Sequence, residues 1–333
     1  MRIAVDAMGG DFAPHSVVTG ALQAIPDISG LEKLFLVGRE DEVRACLPDS
    51  GLPELVEITP ASEVVEMCDP PVAAVRRKRD SSINRAVDLV KEGKADAVFS
   101  AGNTGAAVAA TTLKLRSLSC VDRPAIASIM PSLEGPFVLI DAGANPDCTP
   151  RMLVQFAAMG AVYAREILQA PNPRVGLLSI GGEATKGNDV TREAYRQLQA
   201  SPLNFQGNIE GHGLYNGSVD VVVCDGFAGN IVLKTSENVA WFFGQWLKQE
   251  FTRNWRHKLG ALLLKPGLNA IRRKADPATY GGAPLLGVNG ICIIGHGGSS
   301  AQAIRSAVRV SGEAIRHQLH NRIENAVKEL GFS

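Results

Sequence analysis

The sequence lacks the marks of a membrane-spanning, secreted or nucleic-acid-binding chain. Lys and Arg together number 34, as do Asp and Glu, so no global field attracts nucleic acid. No apolar stretch is long enough to cross a bilayer, and acids interrupt the N-terminus where a signal peptide needs an apolar run. The six cysteines form no Cys-x-x-Cys pair, which predicts reduced thiols and no metal site. We therefore expect a cytoplasmic protein without a nucleic-acid partner.

The motifs of three common enzyme classes are also missing. Lys186-Gly187-Asn188 reverses the order of a phosphate-binding Gly-Lys-Ser/Thr loop and lacks the magnesium-binding hydroxyl. No Gly-x-Gly-x-x-Gly follows a predicted strand, and no Gly-x-Ser-x-Gly elbow occurs. The sequence therefore favours neither a nucleotide cofactor nor a Ser-His-Asp hydrolase.

Short apolar runs alternate with helix-like runs along the whole chain. This alternation predicts an α/β fold: a doubly wound, mostly parallel sheet with helices on both faces. With 45% apolar residues the chain has ample material for a core. We interpret residues 1–333 as one α/β domain, with residues 236–275 as a protruding helical hairpin within it.

Six of the predicted strands end in loops of glycine and polar residues. In the stretch 97–115 a strand turns through such a loop into an alanine-rich helix, so backbone N–H groups and the helix dipole favour an anion there. Because ligands bind where the carboxyl ends of parallel strands meet, we expect all six loops to converge on one edge of the sheet. Their candidate binding residues are Asp6, Asp11, Ser100, Gly102, Asn103, Thr104, Gly105, Asp141, Asn145, Lys186, Asn188, Asp225, Asn230, His296 and Ser299.

This set of donors, carboxylates and one lysine suits a small oxyanion and a carbonyl that becomes an oxyanion in the transition state. Simpler roles stay open for each residue. Asp6, Asp141 and Asp225 can cap the helix or turn that follows them, and the asparagines can act as turn formers. Lys186 can be a solvated loop lysine, and His296 can cap the last helix.

Seven motifs, in order along the chain, together resemble one family. They are DAMGGDFAP (6–14), SAGNTGA (100–106), DAGAN (141–145), ATKGN (184–188), DGFAGN (225–230), YGGAPLLG (280–287) and HGGSS (296–300). The set resembles the bacterial phosphate acyltransferases of phospholipid synthesis, also called acyl-ACP:phosphate transacylases. One departure is that Gly182-Glu183 offers a single acid ahead of Lys186, where the family often carries two.

The resemblance implies a reaction: acyl-(acyl carrier protein) and inorganic phosphate give acyl phosphate and free carrier. It also implies a fold related to phosphotransacetylases and isocitrate dehydrogenases, a homodimer, and no metal or nucleotide cofactor. The implied partners are the acyl carrier protein, an anionic surface on the inner face of the cell membrane, and the downstream membrane glycerol-3-phosphate acyltransferase.

In this reaction we expect phosphate on the Gly102–Gly105 amides, with Asn103 and Thr104, assisted by Lys186. The residues that receive catalytic roles as hypotheses are Lys186, Asn230, Asp225 and His296. Asn230 or Asn188 would donate to the developing oxyanion, His296 would protonate or stabilise the departing thiolate, and Asp225 would orient a neighbour. Two rival functions stay open, a soluble phosphotransacetylase that uses acyl-CoA and a carrier- or membrane-binding scaffold.

Composition changes sharply between Trp241 and Lys274, where all three tryptophans lie and eight Lys or Arg face the single acid Glu250. Leu262–Leu264 precede Lys265-Pro266-Gly267, which we interpret as a helix stop at the apolar, cationic tip of two helices. The aromatics can pack in the core or in a dimer interface, whereas the basic leucine-rich tip suits an anionic membrane or an acidic carrier. The basic run at 76–79 is a second candidate docking patch or a solvated cluster.

Overall fold

The computed structural model describes residues 1–49, 51–275 and 281–331. The first residue of the predicted motif at 280–287, Tyr280, lies outside these ranges. The strands are β1 (Arg2–Asp6), β2 (Lys33–Gly38), β3 (Val56–Pro60), β4 (Ala97–Ser100), β5 (Ala125–Met130), β6 (Phe137–Ile140), β7 (Val175–Leu178), β8 (Phe205–Ile209), β9 (Val221–Val223), β10 (Ala283–Leu286) and β11 (Ile291–Ile294). The helices are α1 (His15–Ala24), α2 (Glu40–Arg44), α3 (Pro71–Arg77), α4 (Ser82–Lys91), α5 (Thr104–Leu115), α6 (Pro150–Ile167), α7 (Asp189–Gln199), α8 (Gly226–Thr252), α9 (Trp255–Ala275), α10 (Ala301–Arg316) and α11 (Leu319–Glu329).

All of these strands form one sheet in the order β3-β2-β1-β4-β11-β10-β5-β6-β9-β7-β8. Helices cover both faces because successive side chains of a strand point to opposite sides. Ile3 and Val5 of β1 pack in the core beneath α1, α6, α10 and α11, whereas Ala4 packs in the core beneath α3, α4 and α5. Most neighbouring strands are parallel, so the predicted α/β, mostly parallel sheet is confirmed.

The direction of the strands reverses in the middle of the sheet. β10 pairs antiparallel with β11 and with β5, and β5 pairs antiparallel with β6. After these three antiparallel pairings, β6, β9 and β7 run opposite to β1, β4 and β11. The expectation that all six polar loops share one edge is therefore wrong. We call the carboxyl ends of β1, β4 and β11 the first edge, and those of β6, β9 and β7 the second edge.

The hairpin differs from the prediction in where it turns. α8 ends at Thr252, and α9 runs from Trp255 through Pro266, so the predicted stop at 265–267 is wrong. The turn lies at 253–254 because Asn254 caps α9: its Oδ1 accepts a hydrogen bond from the His257 N–H at 3.1 Å. Leu262–Leu264 consequently lie within α9 and not at the tip of the hairpin.

The sequence after the motif at 296–300 predicts one final helix over about 301–319. The structure has two helices there, because Gln318 adopts a left-handed conformation (φ 50°) between α10 and α11. Among the described residues, no helix combines the length and the apolar character that crossing a membrane requires.

Candidate functional site

The first edge is built from three loops in direct contact. The Ser100 hydroxyl donates to Asp6 Oδ2 at 2.6 Å, and the Gly102 N–H donates to Ser100 Oγ at 3.2 Å. The Asp11 N–H donates to the Gly297 carbonyl at 2.8 Å, which joins the loop after β1 to the loop after β11. Burial raises the pKa of Asp6, and hydrogen bonds from hydroxyls, including that of Ser100, oppose part of the rise.

Glycines allow these loops to approach one another. A Cβ on Gly9 would lie 2.7 Å from the Gly102 nitrogen, and a Cβ on Gly10, whose φ is 115°, would lie 3.0 Å from the Gly297 carbonyl oxygen. A cavity of about 10 Å³ remains behind the loops, lined by Asp6, Ser100 and neighbouring residues. That volume matches roughly one water molecule, so this cavity does not hold a larger ligand.

The N-terminus of α5 lies in the loop after β4 and is open. Asn103 caps the helix: its Oδ1 accepts from the Ala106 N–H at 3.0 Å, while its Nδ2 donates to the Met67 carbonyl at 3.0 Å. The Asn103 amide is therefore used within the chain, and its contact with phosphate stays a prediction. Thr104 is exposed, and the N–H groups of Thr104 and Gly105 have no hydrogen bond within the described ranges. Free amides at a helix N-terminus are suited to binding an anion.

His296 lies at the same edge with one ring nitrogen free. Its Nδ1 accepts a hydrogen bond from the Gly298 N–H at 3.1 Å, so the neutral ring carries its proton on the exposed Nε2. Ser300, and not His296, caps α10, since Ser300 Oγ accepts from the Ala303 N–H. Ser299 donates its N–H to the His296 carbonyl at 2.9 Å. His296 therefore presents a proton donor beside the open end of α5.

At the second edge, Asp141 organises the loop after β6. Its carboxylate accepts N–H bonds from the backbone of Ile126, Gly143, Ala144 and Asn145, and another from Asn145 Nδ2 at 2.9 Å. Burial raises the pKa of Asp141, and these hydrogen bonds oppose the rise. Asp141 and Asn145 thus hold the loop in shape, which confirms the simpler reading of Asp141.

Two further candidates at the second edge are helix caps. Asp225 Oδ1 accepts from the Ala228 N–H at 2.7 Å at the start of α8. Asn188 Oδ1 accepts from the Thr191 N–H at 2.8 Å at the start of α7. The structure gives both side chains the capping role that favours Asp and Asn at this position.

Lys186 and Asn230 remain free. Both are exposed, and neither side chain makes a hydrogen bond or ion pair within the part of the chain that the structure describes. Asn230 lies against the loop after β6: a Cβ on Gly143 would be 3.6 Å from its Oδ1. Because β9 and β7 are neighbours, Lys186 and Asn230 follow adjacent strands at the same edge.

The structure thus divides the candidates into two groups. The first edge holds Asp6, Asp11, Ser100, Gly102, Asn103, Thr104, Gly105, His296 and Ser299, and the second edge holds Asp141, Asn145, Lys186, Asn188, Asp225 and Asn230. The sequence analysis missed the segment 61–82, which covers the first edge. A Cβ on Gly297 would lie 2.9 Å from Met67 Cε, and one on Gly105 would lie 2.6 Å from Pro71 Cγ. Pro70-Pro71, the start of α3, is the signal that could have revealed it.

Comparison with known proteins identifies the family. A family model described as "Fatty acid synthesis protein" matches residues 1–322. A phosphate acyltransferase of Desulfitobacterium hafniense is 52% identical over 331 residues, which cover 99% of this chain and 98% of that protein. The chain belongs to the phosphate acyltransferase family. A second member, from Pelotomaculum thermopropionicum, is 49% identical over 330 residues, covering 99% of this chain and 96% of that protein.

Membership of this family makes the chain an enzyme of acyl transfer with phosphate and removes the scaffold alternative. Solved structures show the same fold at low identity. A phosphotransacetylase from Streptococcus pyogenes aligns with a TM-score of 0.66 at 18% identity, covering 95% of this chain and 94% of that one. A branched-chain phosphotransacylase from Enterococcus faecalis aligns at 0.55 and 13% identity, covering 96% and 99%. The predicted relation to the phosphotransacetylase fold is confirmed.

Proposed function

We propose that this enzyme transfers the acyl group of acyl-(acyl carrier protein) to inorganic phosphate, an early step of phospholipid synthesis. A phosphate oxygen attacks the thioester carbonyl carbon, the C–S bond breaks, and the carrier thiolate leaves and takes up a proton. The observation that carries the proposal is the open N-terminus of α5, where the Thr104 and Gly105 amides are free. Phosphate is already a nucleophile at neutral pH, so the site needs to position it and to stabilise charge.

The remaining unpaired groups supply the other roles. Asn230 donates to the oxyanion of the tetrahedral intermediate, and Lys186 neutralises negative charge on phosphate. His296 Nε2–H protonates the departing thiolate. The capping bonds of Asn188 and Asp225 support a positioning role for these two residues.

The test of the activity is phosphate-dependent release of carrier thiol from long-chain acyl-ACP, with the product trapped as an acyl hydroxamate. We expect thiol release only when phosphate is present. Release that ignores phosphate contradicts the proposal, and a clear preference for short-chain acyl-CoA over acyl-ACP favours the phosphotransacetylase alternative.

An arginine surface supports an acidic acyl donor. Arg76, Arg77 and Arg79 are exposed and form no hydrogen bond or ion pair with other described residues, whereas Lys78 pairs with Asp69 at 2.6 Å. They lie at the end of α3, whose start contacts the α5 loop through Pro71. Three unpaired guanidinium groups about one short helix away from the α5 loop suit the acidic surface of a carrier protein.

The arginine surface can be tested by charge reversal. Arg76→Glu/Arg77→Glu/Arg79→Glu should raise KM for acyl-ACP by roughly tenfold and leave kcat and turnover of acyl-pantetheine unchanged. Charges at the rim of a protein–protein interface act mainly on the rate of association. The matched control is Arg39→Glu/Arg44→Glu on α2, where both arginines pair with neighbouring acids. An equal loss with both donors would mean that the arginines affect the fold or the chemistry.

The helix α9 supports attachment to an anionic membrane surface. Its apolar side chains Trp255, Leu259, Leu262 and Leu263 recur at helical spacing and are all more than half exposed, up to 76% at Leu263. The sequence of α9 contains Lys and Arg but no acid. An exposed apolar stripe on a cationic helix is typical of interfacial binding. We expect Leu263→Glu to reduce flotation with anionic liposomes, and unchanged flotation would exclude this role.

A further inference from the structure

A second cavity lies between the C-terminal ends of α6 and α10. Its volume is about 400 Å³, whereas the cavity behind the loops of the first edge measures about 10 Å³. Cavities that bind small molecules in proteins begin at about 300 Å³. The lining combines charged side chains with the apolar side chains of Ile129, Ile167, Leu168 and Val310. The cavity between α6 and α10 therefore has room for a small ligand with both a charged and an apolar part.

This cavity is remote from the loops that carry the candidate residues of acyl transfer. Arg316 lines the cavity and is the last residue of α10, so at about 1.5 Å per residue it lies about 23 Å from Ala301, where that helix begins at the first edge. Glu166 likewise lies about 24 Å along α6 from Pro150, which follows the loop of the second edge. A ligand of this cavity is therefore distinct from phosphate held at the N-terminus of α5.

Two polar side chains of the lining are unused within the chain. Arg316 is exposed, and its guanidinium forms no hydrogen bond or ion pair with another described residue. Gln169 is also exposed, and its side-chain amide makes no hydrogen bond within the described ranges. The third donor of the lining, Arg309, is already paired with Glu313. Arg316 and Gln169 are thus available to a ligand.

The charge around the cavity favours an anion. Glu166 lines the cavity and is paired with two arginines from outside the lining, one on α6 and one on α11. Counted together, four guanidinium groups surround two carboxylates, which leaves an excess of two positive charges. These groups belong to Arg165, Arg309, Arg316, Arg322, Glu166 and Glu313. Excess positive charge on a concave surface raises the local concentration of anions.

A buried hydroxyl near the cavity has no partner. Tyr163 is fully buried, and its Oη makes no hydrogen bond with any described residue. Burial raises the pKa of the Tyr163 hydroxyl, Glu313 adds to the rise and Arg309 opposes it, which places the hydroxyl close to this cavity-lining ion pair. Buried polar groups in folded proteins nearly always have a hydrogen-bond partner. The Tyr163 hydroxyl is therefore a further group that a ligand of the cavity can satisfy, directly or through water.

We propose that the cavity between α6 and α10 binds a small organic anion, with its charged end on Arg316 and its apolar part against Ile167 and Leu168. The charged end is a carboxylate or a phosphate monoester, because a guanidinium group pairs with both through two parallel hydrogen bonds. This inference goes beyond the acyl-transfer reaction and does not depend on it.

Calorimetric titration of the full-length enzyme tests the site with two probes, 4-bromophenyl phosphate and 4-bromophenylacetate. Saturating inorganic phosphate is present throughout, so that the proposed phosphate site is occupied. We expect one probe or both to bind, and the tighter one identifies the charged end. Arg316→Glu should raise the Kd roughly tenfold or more, whereas Lys186→Ala should leave it unchanged. Absence of binding at millimolar probe, or loss of binding in Lys186→Ala, would overturn the proposal.

The matched control is Arg196→Glu on α7. Arg196 is an exposed arginine that pairs with Glu193 at 2.6 Å and does not line the cavity, so this variant makes the same change in net charge elsewhere. Its Kd for either probe should equal that of the wild type. An equal loss of affinity in Arg196→Glu and Arg316→Glu would mean that overall charge, and not a site, attracts the probes.

Two further measurements locate the bound probe. Ile167→Trp adds bulk to the lining and keeps every charge, so it should abolish binding while the Tm stays near that of the wild type. In crystals grown with 4-bromophenyl phosphate, the anomalous signal of bromine should lie between α6 and α10. Unchanged affinity in Ile167→Trp, or a bromine signal only at the N-terminus of α5, would overturn the proposal.

Discussion

Gly229 sets the position of Asn230, and its replacement by alanine tests how closely that position must be kept. A Cβ at residue 229 would lie 1.9 Å from the Asp141 carbonyl oxygen, which is backbone and cannot rotate away. Real Cβ contacts essentially never fall below 3.0 Å, so the start of α8 must shift by about an ångström from the loop after β6. Asn230, the next residue, has to move with it.

Two effects of Gly229→Ala can be estimated. A displacement of about 1 Å at a catalytic group costs on the order of 100-fold in turnover, so we expect kcat to fall by that factor. Overpacking against backbone costs about 1–3 kcal/mol. For 333 residues the unfolding entropy is about 0.7 kcal/mol/K, so the Tm should fall by about 1.5–4 °C. Steady-state kinetics with acyl-ACP and calorimetry of the same preparation measure both effects.

The control is Gly260→Ala in the interior of α9, where an added Cβ meets nothing within 4 Å. There the alanine should keep wild-type kcat and raise the Tm by about 1.4 °C, since Ala exceeds Gly in helix propensity by about 1 kcal/mol. A Gly229→Ala enzyme with wild-type kcat would refute the reasoning, because Asn230 could not then be a closely placed oxyanion donor.

Three further predictions follow from other contacts. Asp6→Asn should raise the Tm near pH 8, because burial raises the pKa of Asp6 and its carboxylate therefore lowers stability above that pKa. The difference in Tm between variant and wild type should close as the pH falls through the raised pKa. A difference in Tm that does not change with pH would mean that Asp6 does not titrate. Asp225→Ser keeps a capping oxygen for the Ala228 N–H, so calorimetry and kinetics should show near-normal stability and turnover. Asp225→Ala removes that oxygen and should lower the free energy of unfolding by about 1 kcal/mol. A large loss of kcat in the serine variant would give Asp225 a chemical role. Trp246→Lys should shift sedimentation toward the monomer if the exposed aromatics of α8 cover each other in the homodimer that the family resemblance implies, and unchanged sedimentation would contradict a dimer contact at Trp246.

The buried strands could be predicted from the sequence because they are continuous apolar runs. The apolar runs at 125–130, 137–140 and 291–294 predict strands whose bounds match those of β5, β6 and β11, and each run is flanked by polar or glycine-rich turns. β8 and β10 were not predicted. β8, Phe205–Ile209, is a polar strand at the edge of the sheet. β10 contains Pro284, and proline is unfavourable in an interior strand because it cannot donate a backbone hydrogen bond.

The antiparallel pairing of β5 with β6 explains the error about the edges. β10 is antiparallel to both β11 and β5, so β5 keeps the direction of β11, and the net reversal occurs between β5 and β6. β5 and β6 are joined by a short segment without a helix, whereas the right-handed crossover that makes two strands parallel needs a longer connection. Residue type in the loops could be read from the sequence, but the edge on which each loop lies depends on a pairing between residues far apart in the chain.

The sequence also contains a signal that distinguishes Asn230 from the helix-capping residues Asn103 and Asn188. Asn103 and Asn188 stand directly before a helix, where an Asn side chain replaces a missing backbone acceptor. In the motif at 225–230 that position is taken by Asp225, so Asn230 falls inside the helix. Asn has low helix propensity there, and its exposed amide makes no hydrogen bond within the described residues. An unfavourable residue whose polar group has no hydrogen bond in the fold is a candidate for a functional role.

The first edge carries a buried carboxyl group, that of Asp6, close to the proposed phosphate site. Two unit charges 4 Å apart interact by about 4 kcal/mol at an effective dielectric constant of 20, so an ionised carboxylate facing phosphate would cancel most of what the helix N-terminus contributes. Burial raises the pKa of Asp6, so protonating this carboxyl costs less than protonating an exposed one. Bound phosphate would raise that pKa further, since a nearby negative charge opposes ionisation. Asp6 also accepts hydrogen bonds from the Ser100 hydroxyl and the Met8 N–H, which hold these groups in place at the first edge.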